Sequence, residues 1–257
     1  MQLVLSLFPG IELLGLAFKR EGFCVVQGGD VIWGGDIREE HYPPGKFDGV
    51  IGGPPCQAFS RLAHMVRQNG YEPKFGNLIP EFERVVSEAK PQWFVMENVP
   101  DAPTPIVAGY DVYSYILNNR QCMDESGKPA TQNRVRRFSW GWLGTERPPL
   151  LIDVTLFDNP VFERAALGGS DTREVPIALG GSGKRKTTLP FNAKGRATLG
   201  GLAVKQGLPA TAVDHLPLRA DAACKAIGNG VPLPMGRAIA KAVREATARK
   251  GSEARDE

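Results

Sequence analysis

The chain has 257 residues, 42% of them apolar, and a formal net charge of +3. That apolar content builds a folded core for one large domain, or one domain with a small appendage, and excludes a disordered chain. The small charge demands no nucleic acid by its global field, and the absence of a run of about 18 apolar residues excludes a membrane helix. Residues 3–8 (LVLSLF) read as a short buried strand ended by Pro9-Gly10, and MQLVLSLFPG lacks the basic leader and cleavage site of a signal peptide. A helix follows, with Ile11, Leu14 and Phe18 at helical spacing and Gly22 closing it. Phe23–Gln27 and Phe47–Ile51 read as strands, the latter running straight into Gly52-Gly53-Pro54-Pro55. Residues 79–89 form a helix with Pro80 in its first turn, and Gln92–Met96 is a strand ending in Glu97-Asn98. Residues 143–195 are rich in Gly, Pro, Thr and charge and read as a loop-rich second region. Residues 234–249 form an amphipathic helix with Ile239, Val243 and Ala246 on one stripe, and the last seven residues read as a frayed tail.

Strands alternating with helices predict an α/β fold with a doubly wound, mainly parallel sheet. Such sheets hold ligands at the carboxyl ends of their strands, where Phe8–Gly10, Gly53–Cys56 and Glu97–Val99 fall. The expected bounds are 1–139 for the catalytic and cofactor-binding domain and 140–200 for a small recognition region. A segment returning to the catalytic domain spans 201–250, and the tail 251–257.

Three groups of residues carry chemistry. Cys56, on a stiff turn after two prolines, is a candidate nucleophile, although a lone cysteine is more often buried and inert. The four cysteines, at 24, 56, 122 and 224, form no CxxC pair or zinc spacing, so no metal is expected and a reducing compartment is. Glu97, at the end of an apolar strand, is desolvated, which favours its neutral form and suits it to share a proton with a ring nitrogen. The alternative is a cap or salt-bridge partner. In Gln132-Asn133-Arg134-Val135-Arg136, extended backbone places Gln132, Arg134 and Arg136 on one face, where two guanidiniums can hold a carbonyl, phosphate or carboxylate.

The segments LFPGI, GGPPCQAFS, ENV, QNRVRRF and IGNGVP, in that order, closely resemble the cytosine-5 DNA methyltransferase family over residues 5–138 and roughly 196–245. The resemblance implies a Rossmann-like methyltransferase fold and S-adenosylmethionine as the methyl donor. It implies double-stranded DNA as substrate, with the target cytosine flipped out of the helix. Cys56 matches the nucleophile that adds to carbon 6, Glu97 the acid at the base edge, and Arg134 and Arg136 the pair that fixes the base. Phe8, Gly10 and Ile11 match the first cofactor turn, Asp30 the ribose acid, and Asp36 and Ile37 the adenine contacts. Pro55, Leu78, Asn229 and Val231 complete that pocket. Gln57, Ser60, Arg61 and Arg67 match a loop that closes over DNA, and Lys184, Arg185 and Lys186 are candidate DNA contacts beside the bland reading of a solvated face. A cytoplasmic monomer, bacterial or phage-encoded, with a cognate restriction enzyme as partner, fits the same family. Lys205–Pro209 (KQGLP) resembles the segment preceding the last motif and reads as structural.

The chain also departs from the family. Glu12 and Leu13 stand where glycines are usual, which places a carboxylate in the cofactor loop. Asp30 and Asp36 lie too close together for a crossover helix to separate them, so that helix is missing or rebuilt. The stretch 140–195 is short for a recognition domain. Other readings of the same residues are a tRNA cytosine-5 methyltransferase, a catalytically silent DNA-binding relative and, from the fold alone, a nucleotide-dependent dehydrogenase.

Overall fold

Six segments pair into the main sheet: β2 (Cys24–Gln27), β1 (Leu3–Leu7), β3 (Gly49–Gly52), β4 (Trp93–Asn98), β7 (Val135–Leu143) and β5 (Tyr110–Asn118), in that spatial order. This is a computed structural model in which residues 1–55, 76–155, 163–164 and 198–256 are described. β1 pairs in parallel with β2 and β3, and β3 with β4, whereas β7 runs antiparallel to β4. The mainly parallel α/β sheet expected from the strand–helix alternation is therefore present. No helix among the described residues is long and apolar enough to cross a membrane.

The described residues fall into two units. One comprises Met1–Leu117, Val135–Ile152 and Ile239–Glu257, the other Asn118–Arg134 and Asp153–Ala238. A division at residue 139 would cut β7 in its middle, which is why the first unit continues to Ile152.

In the first unit, helix α1 (Leu13–Arg20) covers one face of the sheet and α2 (Ile79–Ala89) the other. α2 buries Ile79, Phe82, Val85, Val86 and Ala89 at helical spacing, against Leu5, Leu7, Val50, Phe94 and Met96 of the strands. On the opposite face Phe18 of α1 stacks on Trp93, which also packs against Trp140. Such large rings each remove some 150–250 Å² from water and dominate the core. α1 begins at Leu13, later than its apolar pattern suggests, because Glu12 adopts left-handed backbone and caps the helix. Helix α5 (Leu233–Asp256) buries Ile239, Val243 and Ala246, the stripe expected from sequence, but it continues through the segment read as a frayed tail.

The second unit holds the short parallel pair β6 (Gln132–Asn133) and β8 (Glu163–Arg164), with helices α3 (Leu199–Lys205) and α4 (Ala220–Asn229). Thr198 caps α3 by accepting the Gly201 N–H at 3.0 Å. Gln206, fully buried, donates to the carbonyls of Ile227 (2.6 Å) and Gly230 (3.2 Å) and so fastens α3 to the end of α4. The structural role read for the KQGLP segment rests on this side chain.

Gly141 of β7 stands opposite Phe94 of β4, and a methyl group there would lie 2.1 Å from the Phe94 ring. Gly141→Ala is expected to overpack this face and lower the unfolding free energy by about 1–3 kcal/mol. Urea denaturation measures it, and an unchanged midpoint would show that the ring has room to move.

Candidate active site

β1, β2, β3 and β4 are parallel, so their carboxyl ends open on one edge of the sheet. After β1 the chain turns through Phe8 (φ 53), Gly10 (φ 56) and Glu12 (φ 64). Two of these left-handed residues carry side chains, a strain of about 1 kcal/mol or more each that surrounding contacts must hold in place. Part of the restraint comes from the segment after β2. Asp30, the expected ribose acid, accepts the Gly10 N–H through Oδ2 and the Ile32 N–H through Oδ1, both at 2.9 Å. The Trp33 indole N–H donates to the Gly10 carbonyl at 2.7 Å. Both backbone polar groups of Gly10 are thus gripped from the neighbouring segment.

Asp36 and Ile37, the expected adenine contacts, open a single 3₁₀ turn, Ile37–Glu39. Asp36 caps it by accepting from the Arg38 N–H at 3.0 Å and also binds the Arg38 guanidinium at 2.9 Å, which holds its carboxyl down to about 2. Ile37 is buried, while Val31, Ile32 and Trp33 are exposed by 54%, 37% and 48%. An apolar ledge bordered by Asp30 and Asp36 suits a flat aromatic ring bearing amino and hydroxyl donors, since each carboxylate oxygen retains a second lone pair. Pro55 and Leu78, expected at the same pocket, are half-buried, and Ile11 borders the turn. Trp33 was not singled out from sequence. The signal available was an aromatic residue between two Gly-Gly-Asp triplets, a place with little core to join.

The catalytic half is built where β4 meets β7. Glu97 lies inside β4, whose end is Asn98 and not Met96 as expected, and is buried. β7 is antiparallel, so its first residues reach the edge where β4 ends. Register places Phe138 opposite Glu97, which makes Arg136 a diagonal neighbour on the same face. Arg136 Nε contacts Glu97 Oε1 at 2.9 Å. The neutral carboxyl expected from burial alone therefore has a cation beside it. Gly53 follows β3, and a Cβ there would sit 3.0 Å from Glu97 Oε2, so only glycine leaves this approach open. Asn98 Nδ2 donates to the Pro54 carbonyl at 3.2 Å and fastens the Gly-Pro-Pro turn to β4. Cys56, next in sequence, lies outside the described residues, as do Gln57, Ser60, Arg61, Arg67, Lys184, Arg185 and Lys186.

The alternation expected in residues 132–136 is present: Gln132, Arg134 and Arg136 are buried and Val135 is exposed. Within the second unit Arg134 donates to the carbonyls of Gly228 (2.8 Å) and Asn229 (3.3 Å). Its observed partners are main-chain oxygens of the Gly-Asn-Gly segment, the segment expected to face the cofactor. Asn229 itself is exposed and Val231 buried.

Glu12 does not point outward. Ser6 Oγ of β1 donates to its Oε2 at 3.2 Å, Oε1 is buried without a hydrogen-bond partner, and burial pushes the carboxyl up to about 7 against the pull of Lys19. A folded-state value above the unfolded one favours the folded protein at low pH; that advantage fades between about 4.5 and 7 and is gone above. Glu12→Gln, which cannot ionise, is expected to be more stable than the parent at pH 8 by about 2–3 kcal/mol more than at pH 5. Thermal melts at the two pH values check this, and a gain independent of pH would show that the carboxyl is not desolvated.

Known proteins resemble the chain in sequence and in fold. A family model for C-5 cytosine-specific DNA methylase matches residues 32–105. The type II methyltransferase M.FnuDI of Fusobacterium nucleatum is 33% identical over 217 residues, covering 72% of this chain and 59% of that protein. M.HindV of Haemophilus influenzae is 28% identical over 197 residues, covering 64% and 62%. The chain thus spans less than two thirds of the length of either relative. Among solved structures, a protein encoded within an E. coli prophage and described as a DNA modification methyltransferase superposes with a TM-score of 0.63 at 17% identity, over 96% of this chain and all of that one. Spodoptera frugiperda DNMT2, crystallised as a triple mutant, gives 0.61 at 13%, over 95% of this chain and all of that one. The fold is therefore that of these methyltransferases, and with the matching motifs at its active edge the chain belongs to the C-5 cytosine-specific DNA methylase family.

Proposed function

We propose that the chain methylates carbon 5 of a cytosine flipped from double-stranded DNA, through a covalent adduct on Cys56. The observation that carries this reading is the Glu97–Arg136 pair, buried at the active edge with the Gly53–Pro54 turn fastened beside it. S-adenosylmethionine, held by the Phe8–Gly10 turn, Asp30, Asp36 and Ile37, supplies the methyl group when bound.

Cytosine carbon 5 is a poor nucleophile until the 5,6 double bond is saturated. The Cys56 thiolate adds to carbon 6, and the electron pair displaced from the double bond enriches carbon 5. Glu97 faces the N3 and amino edge of the base; it takes up a proton from solvent as the base enters and passes it to N3, which neutralises the negative charge that builds there. Arg136 holds Oε1 of that carboxyl, and the bare Gly53 leaves room beside Oε2 for the base edge. Arg134 keeps the Gly228 and Asn229 carbonyls in place. After transfer a base takes the proton from carbon 5, the electron pair re-forms the double bond, and the thiolate leaves. Arg61 and Arg67 meet phosphates, and Lys184, Arg185 and Lys186 contribute to target contact. A bacterial or phage setting with a cognate restriction enzyme accords with the type II naming of the relatives.

Incubation with S-adenosylmethionine and DNA containing 5-fluorocytosine is expected to yield a denaturation-resistant adduct that Cys56→Ser abolishes. The fluorine blocks the last proton removal, so an active enzyme is trapped. DNA binding without an adduct would leave a silent DNA-binding relative, and adducts on tRNA alone would change the substrate. Glu97→Gln is expected to cut turnover by roughly 10²–10⁴-fold while DNA affinity stays within a few fold. Equal loss of both would remove Glu97 from the chemistry.

A further inference from the structure

In the common doubly wound order a further strand lies outside the second one, reached by a crossover helix. Here β2 is the edge, and the connection from Gly28 to Asp48 contains only the Ile37–Glu39 turn. This connection carries Asp30, Trp33, Asp36 and Ile37 with neither a helix nor a strand of its own to fix them. Irregular backbone of this length keeps one shape only where hydrogen bonds over-determine it.

Two of those bonds come from one side chain of α2. Arg84 projects from the middle of α2, on the face toward the connection. Its Nη2 donates to the Ile37 carbonyl at 2.7 Å and its Nη1 to the Glu40 carbonyl at 3.1 Å. The same guanidinium is aimed by its own helix: Glu81 accepts from Nε and Glu88 from Nη1, each at 2.8 Å. The Glu40 carboxylate, next in the relay, accepts the Gly29 N–H at 2.9 Å and the Tyr42 hydroxyl. Asp30 follows Gly29 directly and grips Gly10, while Trp33 takes the Gly10 carbonyl. Hydrogen bonds, linked by the covalent chain within Glu40 and between Gly29 and Asp30, thus lead from α2 through the 37–40 segment to the turn after β1.

We propose that Arg84 is a positioning residue of the cofactor site: it anchors to α2 the connection that carries the cofactor contacts, replacing the restraint of the absent crossover helix. The proposal rests on the cofactor assignment above. A planar guanidinium can serve two carbonyls and two carboxylates at once, which a lysine ammonium, a single point donor on a flexible stem, does less well. Among the described contacts none joins the relay to the Glu97–Arg136 pair, so its effect falls on cofactor binding rather than on turnover.

The full-length protein and its Arg84→Ala and Arg84→Lys variants are titrated with S-adenosylmethionine by calorimetry and assayed for methyl transfer to DNA. The expected result is about a tenfold weaker cofactor Kd and raised cofactor KM for Arg84→Ala, partial recovery for Arg84→Lys, and kcat and DNA affinity within threefold of the parent. A second readout needs no cofactor. Trp93, Trp140 and Trp142 are buried, so acrylamide quenches mainly Trp33. Its quenching constant is expected to rise at least twofold in Arg84→Ala as the grip on Gly10 loosens. Should that variant fail to fold, Arg84→Lys and Glu40→Gln, which cuts the relay at Gly29, are measured by the same two readouts. Cofactor affinity within twofold of the parent with unchanged quenching overturns the proposal, as does equal loss of cofactor and DNA affinity. A parent protein that binds no S-adenosylmethionine overturns the cofactor assignment instead, a result the parent titration reveals before any variant is compared.

Discussion

A buried carboxylate at the end of a central strand needs a cation or a proton, and in this protein Arg136 stands beside Glu97. The cation arrives because one strand of the sheet runs backwards. β7 begins at the edge where β4 ends, and a residue two before the one facing Glu97 shares its side of the sheet. Had β7 been parallel, its first residues would have emerged at the opposite edge, away from the site. Removing one partner of such a pair leaves an uncompensated buried charge, a cost of about 3–5 kcal/mol. The pair is therefore a constraint on the fold as well as a part of the site. With its carboxyl fixed there, β4 also supplies Asn98, which ties down the turn leading to Cys56.

On the other side of the active edge the sheet is thinner than the common doubly wound pattern, and hydrogen bonds do the work that regular structure does elsewhere. β2 leaves Cys24 and Val26 exposed, since no outer strand covers it. The connection after it is restrained from two directions: at its far end by Arg84, and at its near end by the exchange between Asp30, Trp33 and Gly10. The left-handed residues at Phe8 and Glu12 persist because that exchange over-determines the turn.

The parts of this arrangement that follow a short period were legible in the sequence. The alternation of Gln132, Arg134 and Arg136 needs only a period of two, and α2 shows its apolar stripe at a period near 3.6. Strand ends were less legible, because β4 continues its buried pattern through Glu97 and Asn98, polar residues that read as a boundary. The start of α1 was misplaced for a related reason: nothing local announces that Glu12 takes a conformation usual for glycine. Arg84 was hidden most completely. Its spacing from Glu81 and Glu88 is that of ordinary surface ion pairs, and its contacts to Ile37 and Glu40, more than forty positions away, leave no local trace.

Glu12, Asp30 and Asp36 are the three carboxyl groups of the turn and connection nearest the proposed cofactor contacts, and a ligand carrying its own carboxylate would be repelled if all three presented free charge. Each is handled by a different physical means. Asp30 is engaged by two backbone N–H groups. Asp36 is neutralised by the guanidinium two residues away. Glu12, with no cation in contact, is taken out of water, which drives it toward the protonated form near neutral pH. These choices follow from position. An exposed carboxylate can recruit a surface arginine cheaply, and one beside a turn can use the turn's own N–H groups. One inserted between β1 and α1 has neither, so it gives up charge instead. The departure from glycine at position 12 is thus compatible with an anionic ligand at neutral pH because of where the side chain goes, and not because of what it is.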